Sequence, residues 1–265
     1  MSRLLNGFSD VISRGNLATN SSFRIDQRGT FTSYAYTVCN IDDYIADCWY
    51  ISNMTLDYCK AMQYTTGCVR FKGYGKKNQY IQLNNKDNTS FGIGQIDTSS
   101  EVSYLTSAVL GYNFKGAPVS VECSPRYSSL TSTLYNNIPI INEGEKKTST
   151  KAISCLTSTS VNYPTFKMQL KKDGEFEVLF YNFRELAGAF RNPPGDCFVS
   201  YADDLQRCER FYQTGAYSGD VYVPFRVKMN GTPSVTLSSG SVGSISINGF
   251  VASGTSGVYT WAAEV

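Results

Sequence analysis

The chain has 265 residues, of which 17% are charged and 14% aromatic, with a formal net charge of +2, 19 Tyr and no His. That length fits one large domain or two modest ones, with a core that needs no metal or disulfide, and 22 Gly with 8 Pro are too few for a disordered or collagen-like chain. The lack of His excludes Ser-His-Asp and Cys-His catalysis and His-containing zinc or non-haem iron sites, and near-neutrality lacks the basic footprint of a nucleic-acid binder.

Residues 1–15 carry Leu4, Leu5, Phe8, Val11 and Ile12 at helical spacing, with Gly15 as a stop. A lone helix this short is marginal in water. It either packs on its own domain or forms one strand of a parallel coiled-coil stem. The segment has no continuous apolar stretch of the signal-peptide kind, and no apolar run approaches the ~20 residues that span a bilayer. Synthesis in a cytoplasm without membrane insertion is expected.

From 16 to 200 the pattern is of short alternating strands. Tyr80–Leu83 alternates and runs into the turn-like Asn84–Asn88; Val119–Cys123 alternates up to Pro125. Phe166–Leu170, Lys171-Lys172-Asp173-Gly174 and Phe176–Phe180 read as a hairpin, because an Asp-Gly turn lies between two alternating runs. Asn192-Pro193-Pro194-Gly195-Asp196 breaks the pattern. A helix is predicted over Asp203–Tyr212, capped by an Asp, with Leu205, Cys208, Phe211 and Tyr212 on one face. Strands return at Val221–Val227, Ser234–Leu237, Ser244–Ile247 and Val258–Ala263, and the Ser- and Gly-rich Ser238–Gly257 reads as flexible loops. The fold class is therefore all-β: a jelly-roll-like β-sandwich over 16–200, preceded by a short helix at 1–15 and followed over 201–265 by one short helix and further strands.

The eight cysteines (Cys39, Cys48, Cys59, Cys68, Cys123, Cys155, Cys197 and Cys208) contain no C-x-x-C pair, which argues against a Cys-only zinc site. They are expected to be reduced and buried, with a disulfide inside the Cys39–Cys68 segment as the alternative. No cofactor or metal is expected; Asp42-Asp43 and Asp203-Asp204 do not match a calcium loop.

Three ordered motifs carry a resemblance. Asn16-Leu17-Ala18-Thr19-Asn20-Ser21-Ser22-Phe23 with Gln27-Arg28-Gly29 resembles the N-L-x-x-N-G-x-F-x-x-x-Q-R-G opening of many bacteriophage tail-fibre proteins. Tyr44-Ile45-Ala46-Asp47-Cys48-Trp49 stands where they carry Tyr-x-x-Asp-Arg-Trp, and Asp204-Leu205-Gln206-Arg207-Cys208-Glu209-Arg210-Phe211-Tyr212 resembles their Glu-Leu-x-x-Cys-x-Arg-Tyr-Phe-like helix. Val223-Pro224-Phe225, Met229 and Pro233-Ser234-Val235-Thr236 fit their tails. Ser21, Cys48 and Asp204 depart from that pattern, which has Gly, Arg and Glu there. The resemblance implies a carbohydrate-binding-module-like sandwich at the distal end of a homotrimeric fibre, in the virion, attached to the rest of the tail and recognising a host receptor. Read from the residues alone the motifs are structural. Trp49 fills the core, Gly29 turns the chain, and Arg207 and Arg210 flank an apolar helix face and pair with acidic neighbours.

Two functions remain in view. The first is a binding module for a host-surface polysaccharide, capsule or lipopolysaccharide, without enzymatic activity. Its candidate carbohydrate-binding residues are Tyr74, Tyr80, Tyr112, Tyr127 and Tyr135, read as loop residues, with Asn78 near Tyr74 and Tyr80, Asn113 beside Tyr112, and Asn136 and Asn137 beside Tyr135. The second is a polysaccharide depolymerase, since glycoside hydrolysis needs only two carboxylates. Its candidates are Asp42, Asp43, Glu143, Glu145, Glu175, Glu177 and Asp203, although no internal repeat of a long β-helix is present. Burying an apolar side chain is worth about 1.5–3 kcal/mol, so the stripe from Leu4 to Ile12 needs a partner. Light scattering of the protein at micromolar concentration should return the trimer mass; a monomer mass would refute the stem reading.

Overall fold

A computed structural model describes residues 16–30, 35–65, 68–86, 103–125, 133–136, 139–155, 163–187, 199–229 and 231–263. The 1–15 helix, the Asn192–Asp196 breaker, Tyr127 and Cys197 lie outside these residues. The chain divides into two compact units between Val199 and Ser200.

The first unit is a β-sandwich. One sheet has seven strands in the order β1 (Thr37–Val38), β4 (Tyr58–Thr65), β5 (Cys68–Gly75), β13 (Gly174–Ala187), β7 (Ser103–Gly116), β11 (Lys146–Cys155) and β9 (Thr133–Asn136). The other has six: β10 (Ile140–Ile141), β8 (Val119–Ser124), β12 (Thr165–Leu170), β6 (Tyr80–Asn85), β3 (Trp49–Met54) and β2 (Tyr44–Ala46). All of these pairings are antiparallel. Alternation decides what lies between the sheets, because successive side chains on a strand point to opposite faces. Val69 and Phe71 from β5, Phe176, Val178 and Phe180 from β13, and Phe166, Met168 and Leu170 from β12 are all buried there.

The expected hairpin over 166–180 is not one. β12 pairs with β6 and β8, and β13 pairs with β5 and β7, so the Asp173-Gly174 turn carries the chain from one sheet to the other. The two runs face each other through the core, with Phe166 and Phe180 ring centroids 5.1 Å apart. Two alternating runs joined by a turn give the same pattern whether they lie side by side or face to face, and here their inward rings bury most surface across the core.

The motif at 16–29 is an irregular segment seated against this core. Buried backbone needs partners for its polar groups, and two asparagines supply them. Asn16 donates to the Phe183 carbonyl (2.7 Å) and accepts from the Glu185 and Ala18 amides. Asn20, at φ 51°, donates to the Ile25 and Asp47 carbonyls (2.8 Å each) and accepts from the Ile25 amide. Its own carbonyl receives the Trp49 indole N–H at 2.9 Å. Trp49 is fully buried, with Phe23, Phe183 and Phe166 around it at centroid distances of 4.9, 5.1 and 5.9 Å, so its core role stands. Gly29 turns the chain at φ 67°, and Arg28 lies over the Tyr44 ring at 3.8 Å.

The second unit holds a helix, α1 (Tyr201–Glu209), and two three-stranded sheets. One is β14 (Tyr212–Tyr217), β19 (Gly257–Ala262), β16 (Ser234–Leu237); the other is β15 (Val221–Pro224), β18 (Gly249–Ser253), β17 (Ser241–Ser246). Trp261, Phe250, Tyr259, Phe225 and Met229 form its core. Three expectations need correction here. The helix cap is Ser200, not an aspartate: its hydroxyl accepts from the Asp203 amide and donates to the Asp203 carboxylate at 2.6 Å, a reciprocal cap. The helix stops at Glu209, so Phe211 lies past it and Tyr212 opens a strand. The Ser- and Gly-rich 238–257 segment is mostly strands β17 and β18. At Gly240, with φ 78°, a Cβ would strike the Ser253 carbonyl, so composition that resembled a loosely ordered loop is what this close crossing requires.

Cys39, Cys48, Cys59, Cys68, Cys123 and Cys208 are all buried free thiols. Burial raises the Cys123 thiol above its ordinary value.

Asp47 is buried against the 16–29 segment and accepts the Gln27 amide (3.1 Å) and side-chain N–H (2.7 Å). Burial pushes its pKa up to about 6, against Gln27 and the Arg28 charge, which pull it down. The folded state therefore keeps a proton that the unfolded chain has released. This contribution to stability is complete below about pH 4 and is lost as pH rises through about 6. The gap corresponds to about 3 kcal/mol. Asp47→Asn carries no such titration, so its stability relative to the native protein should rise by about that amount between pH 4 and pH 7 in urea unfolding. A constant difference across that range would contradict the assignment.

Candidate functional site

The sandwich core takes the inward side chains, and the alternate ones form two outer faces. On the seven-stranded sheet the outer face is aromatic. Tyr58 on β4 lies directly opposite Tyr74 on β5, and both are exposed, at 38% and 37%. Directly opposed residues have their Cβ atoms ~5 Å apart, so the two phenols are neighbours on the exposed face. The next pair in the register is Lys60 and Lys72, and Glu175 lies opposite Tyr74 on its other side.

A second aromatic group lies further along the same face. Phe114 and Tyr112 of β7 meet edge to face at 4.7 Å, and Tyr64 of β4 reaches Phe114 at 5.9 Å. The Arg70 guanidinium sits over Phe114 (4.2 Å) and Tyr64 (4.9 Å) and pairs with Glu177 at 2.8 Å. The Tyr36 hydroxyl donates to Glu177 at 2.7 Å. Burial, followed by that carboxylate, pushes the Tyr36 pKa up to about 12, so the phenol stays a donor. Phe114 shares this face with Tyr112 because the two alternate about the buried Asn113, and the register of β7 against β13 shifts between Asn113 and Lys115.

The outer face of the six-stranded sheet is polar and hydrogen-bonded to itself. Asn53 donates to the Tyr80 hydroxyl (2.9 Å), Asn84 to the Tyr50 hydroxyl (3.3 Å), and Ser52 to Asn84 (2.9 Å). Lys167 caps the Tyr80 ring at 4.0 Å and Lys86 the Tyr50 ring at 4.4 Å. These rings are already occupied.

The structure therefore divides the five tyrosines read from the sequence. Tyr74 and Tyr112 share the outer face of the seven-stranded sheet. Tyr80 lies on the opposite outer face, so it does not join them. Tyr135 falls in β9, at the edge of the seven-stranded sheet, and Tyr127 lies outside the described residues. Nor do the four described tyrosines lie in loops: Tyr74, Tyr80, Tyr112 and Tyr135 are all in strands. Asn113, expected beside Tyr112 in the site, is buried and donates to the Ala117 and Ile141 carbonyls (3.2 Å each). Tyr58, Tyr64, Phe114 and Arg70 were missed, and Glu177 was singled out only as a candidate for hydrolysis. For Tyr58 and Tyr64 the signal was present, since Tyr58, Lys60, Met62 and Tyr64 alternate with Cys59 and Ala61.

Most carboxylates considered for hydrolysis are engaged. Glu177 holds Arg70 and Tyr36, Glu143 accepts the Gly116 amide, and Asp43 accepts the Asn40 amide. Glu145 pairs with Lys147 at 2.7 Å; the Asn142 amide, ahead of that lysine, lowers its pKa. Among the described residues no three Cys, Asp or Glu side chains gather as metal ligands, and no helix is long and apolar enough to cross a membrane.

No family model and no curated protein matches the chain. Solved structures with similar backbone include the arabinose-bound α-L-arabinofuranosidase MgGH51, at 12% identity and a TM-score of 0.39, covering 74% of this chain and 30% of the enzyme. The chain thus spans less than a third of that enzyme's length. A mutant of the family 29 carbohydrate-binding module CBM29-2 complexed with mannohexaose matches at 11% identity and 0.25, over 59% of this chain and 93% of the module. A CBM4 structure matches at 9% and 0.31, over 64% and 99%. At these scores the likenesses bear on neither ligand nor reaction.

The Arg70–Glu177 pair sits half-buried at the centre of the aromatic face, so its strength should be measurable. Arg70→Met leaves Glu177 without its cation, while Arg70→Met with Glu177→Gln removes both charges. A double-mutant cycle in urea should give a coupling of about 1 kcal/mol; a value near zero would mean that the pair does not order this face.

Proposed function

We propose that this chain is the receptor-binding tip of a bacteriophage tail fibre, which adsorbs the virion to a host-surface polysaccharide without degrading it. The observation that carries the reading is the exposed Tyr58–Tyr74 pair on the outer face of the seven-stranded sheet, with Arg70, Glu177 and the rings around them beside it. A saccharide presents an apolar C–H face and a rim of hydroxyls. A flat sheet with exposed phenol rings offers stacking area at low entropy cost, and phenol, lysine and carboxylate groups offer hydrogen-bond partners. The resemblance to tail-fibre proteins supports the setting: the fibre, its trimeric state, assembly in the host cytoplasm and residence in the virion.

An open face of this kind binds weakly at each copy. A Kd near a millimolar is about −4 kcal/mol, and three copies on one fibre, with several fibres per particle, raise attachment by roughly 10²–10⁴ without new contacts. Cell adsorption by fluorescent protein tests the reading. Tyr58→Ala and Tyr74→Ala should each cost about 1 kcal/mol per site, near fivefold in single-site affinity, with unchanged unfolding. Equal attachment to cells stripped of capsule and lipopolysaccharide would refute the polysaccharide as receptor. Release of reducing sugar from the isolated polysaccharide would instead identify a depolymerase.

A further inference from the structure

The C-terminal unit carries a concavity of about 730 Å³. Its wall is one side of α1. Asp203, Gln206, Arg207 and Arg210 line it, and their spacing of three, one and three residues puts them on a single helical face. The opposite side of α1 carries the buried Asp204 and Cys208. The facing wall is the segment Val227, Lys228 and Met229.

That segment is fixed in place. The Met229 amide donates to the Ile247 carbonyl at 3.0 Å, and the Phe225 amide to the Asn248 carbonyl at 2.8 Å. Met229 belongs to the unit's core. Between them, Arg226 pairs with the buried Glu209 at 2.7 Å and donates to the Thr214 carbonyl. The concavity is therefore built on anchored elements.

Its chemistry has three parts. Arg210 and Lys228 bring two positive charges beside Arg207, and the one lining carboxylate, Asp203, already receives the Ser200 hydroxyl. Neither Arg210 nor Lys228 forms an ion pair among the described residues. Val227 offers an apolar surface, backed by the buried Met229, and Gln206 both donates and accepts. Among the described residues no aromatic ring lines it, so none of them offers a nucleotide base a stacking surface. The volume falls in the range of small-ligand sites, ~300–1,000 Å³, and far exceeds what one inorganic anion fills.

We propose that this concavity binds an anionic saccharide unit, one whose carboxylate or phosphate sits between Arg210 and Lys228 while its ring lies over Val227 and its hydroxyls reach Gln206 and Asp203. This rests on the reading of the chain as a polysaccharide binder and adds that the receptor is an acidic polysaccharide, held at a site separate from the tyrosine face. Attachment through this site is screened by salt, whereas stacking on the tyrosine face is not.

The test uses the full chain and calorimetric titration with trigalacturonic acid, its methyl ester, and inorganic phosphate. The acid should bind, the ester at least tenfold more weakly, and binding of the acid should fall between low and moderate salt. Arg210→Gln with Lys228→Gln should lower affinity for the acid roughly tenfold or more, since each lost charge-assisted hydrogen bond is worth about a factor of ten. Circular dichroism should show that variant folded; Arg210→Lys should keep most of the binding. Equal affinity for acid and ester, an unaffected Arg210→Gln/Lys228→Gln variant, or phosphate binding as tight as the trisaccharide would each overturn the proposal. The tyrosine-face reading fails separately, if Tyr58→Ala and Tyr74→Ala leave adsorption to cells unchanged.

Discussion

The structure of the first unit depends on how the irregular segment 16–29 is buried. A stretch without helix or strand brings backbone donors and acceptors into the core with no ladder to satisfy them, and an unmet one costs ~1–3 kcal/mol. Asn16 and Asn20 are suited to this because a carboxamide both donates and accepts. Asn16 fastens the segment to β13 through Phe183 and Glu185, and Asn20 fastens it to the β2–β3 turn through Asp47. Trp49 is oriented by the Asn20 carbonyl, and around Trp49 the rings of Phe23, Phe166 and Phe183 pack. The tail-fibre-like motif residues in this region are thus partners in one buried network. Cys48, where the resemblance has Arg, occupies the left-handed turn position at φ 67° and is itself buried.

A core closed in this way takes the inward half of every strand and leaves the outward half free for other uses. The two outer faces have used that freedom differently. On the six-stranded sheet, Tyr50 and Tyr80 are covered by lysines and tied into amide ladders, which stabilises a polar surface. On the seven-stranded sheet, Tyr58 and Tyr74 remain open beside a fixed Arg70–Glu177–Tyr36 cluster. Few charges over the whole chain and many phenols are the composition such surfaces need.

The second unit solves a different problem. With a small core it depends on close strand crossings at glycine and on side chains that hold the connections. Gln213 is buried, donates to the Glu209 carbonyl and accepts from the Arg226 amide, while Arg226 neutralises Glu209. This leaves the outward face of α1, with Arg207 and Arg210, as a rigid cationic wall.

The sequence by itself determined the all-β class, the burial of Trp49 and of most cysteines, the existence of a helix near 201–210, and the exclusion of histidine chemistry. These are local properties: alternation with a period of two, side-chain size, and residue type. It also pointed to Tyr74 and Tyr112, though as loop residues. Only the tertiary structure decided which strands lie side by side. Alternation states which side of a strand faces the core and nothing about its neighbours, so Phe166–Leu170 and Phe176–Phe180 looked like partners and are on different sheets. For the same reason Tyr80, six residues from Tyr74, stands on the opposite face, while Tyr58, sixteen residues away, stands beside it. The register shift of β7 against β13 between Asn113 and Lys115 interrupts the ladder at one residue, and no period in the sequence marks it, because a bulge is set by the strand it must pair with.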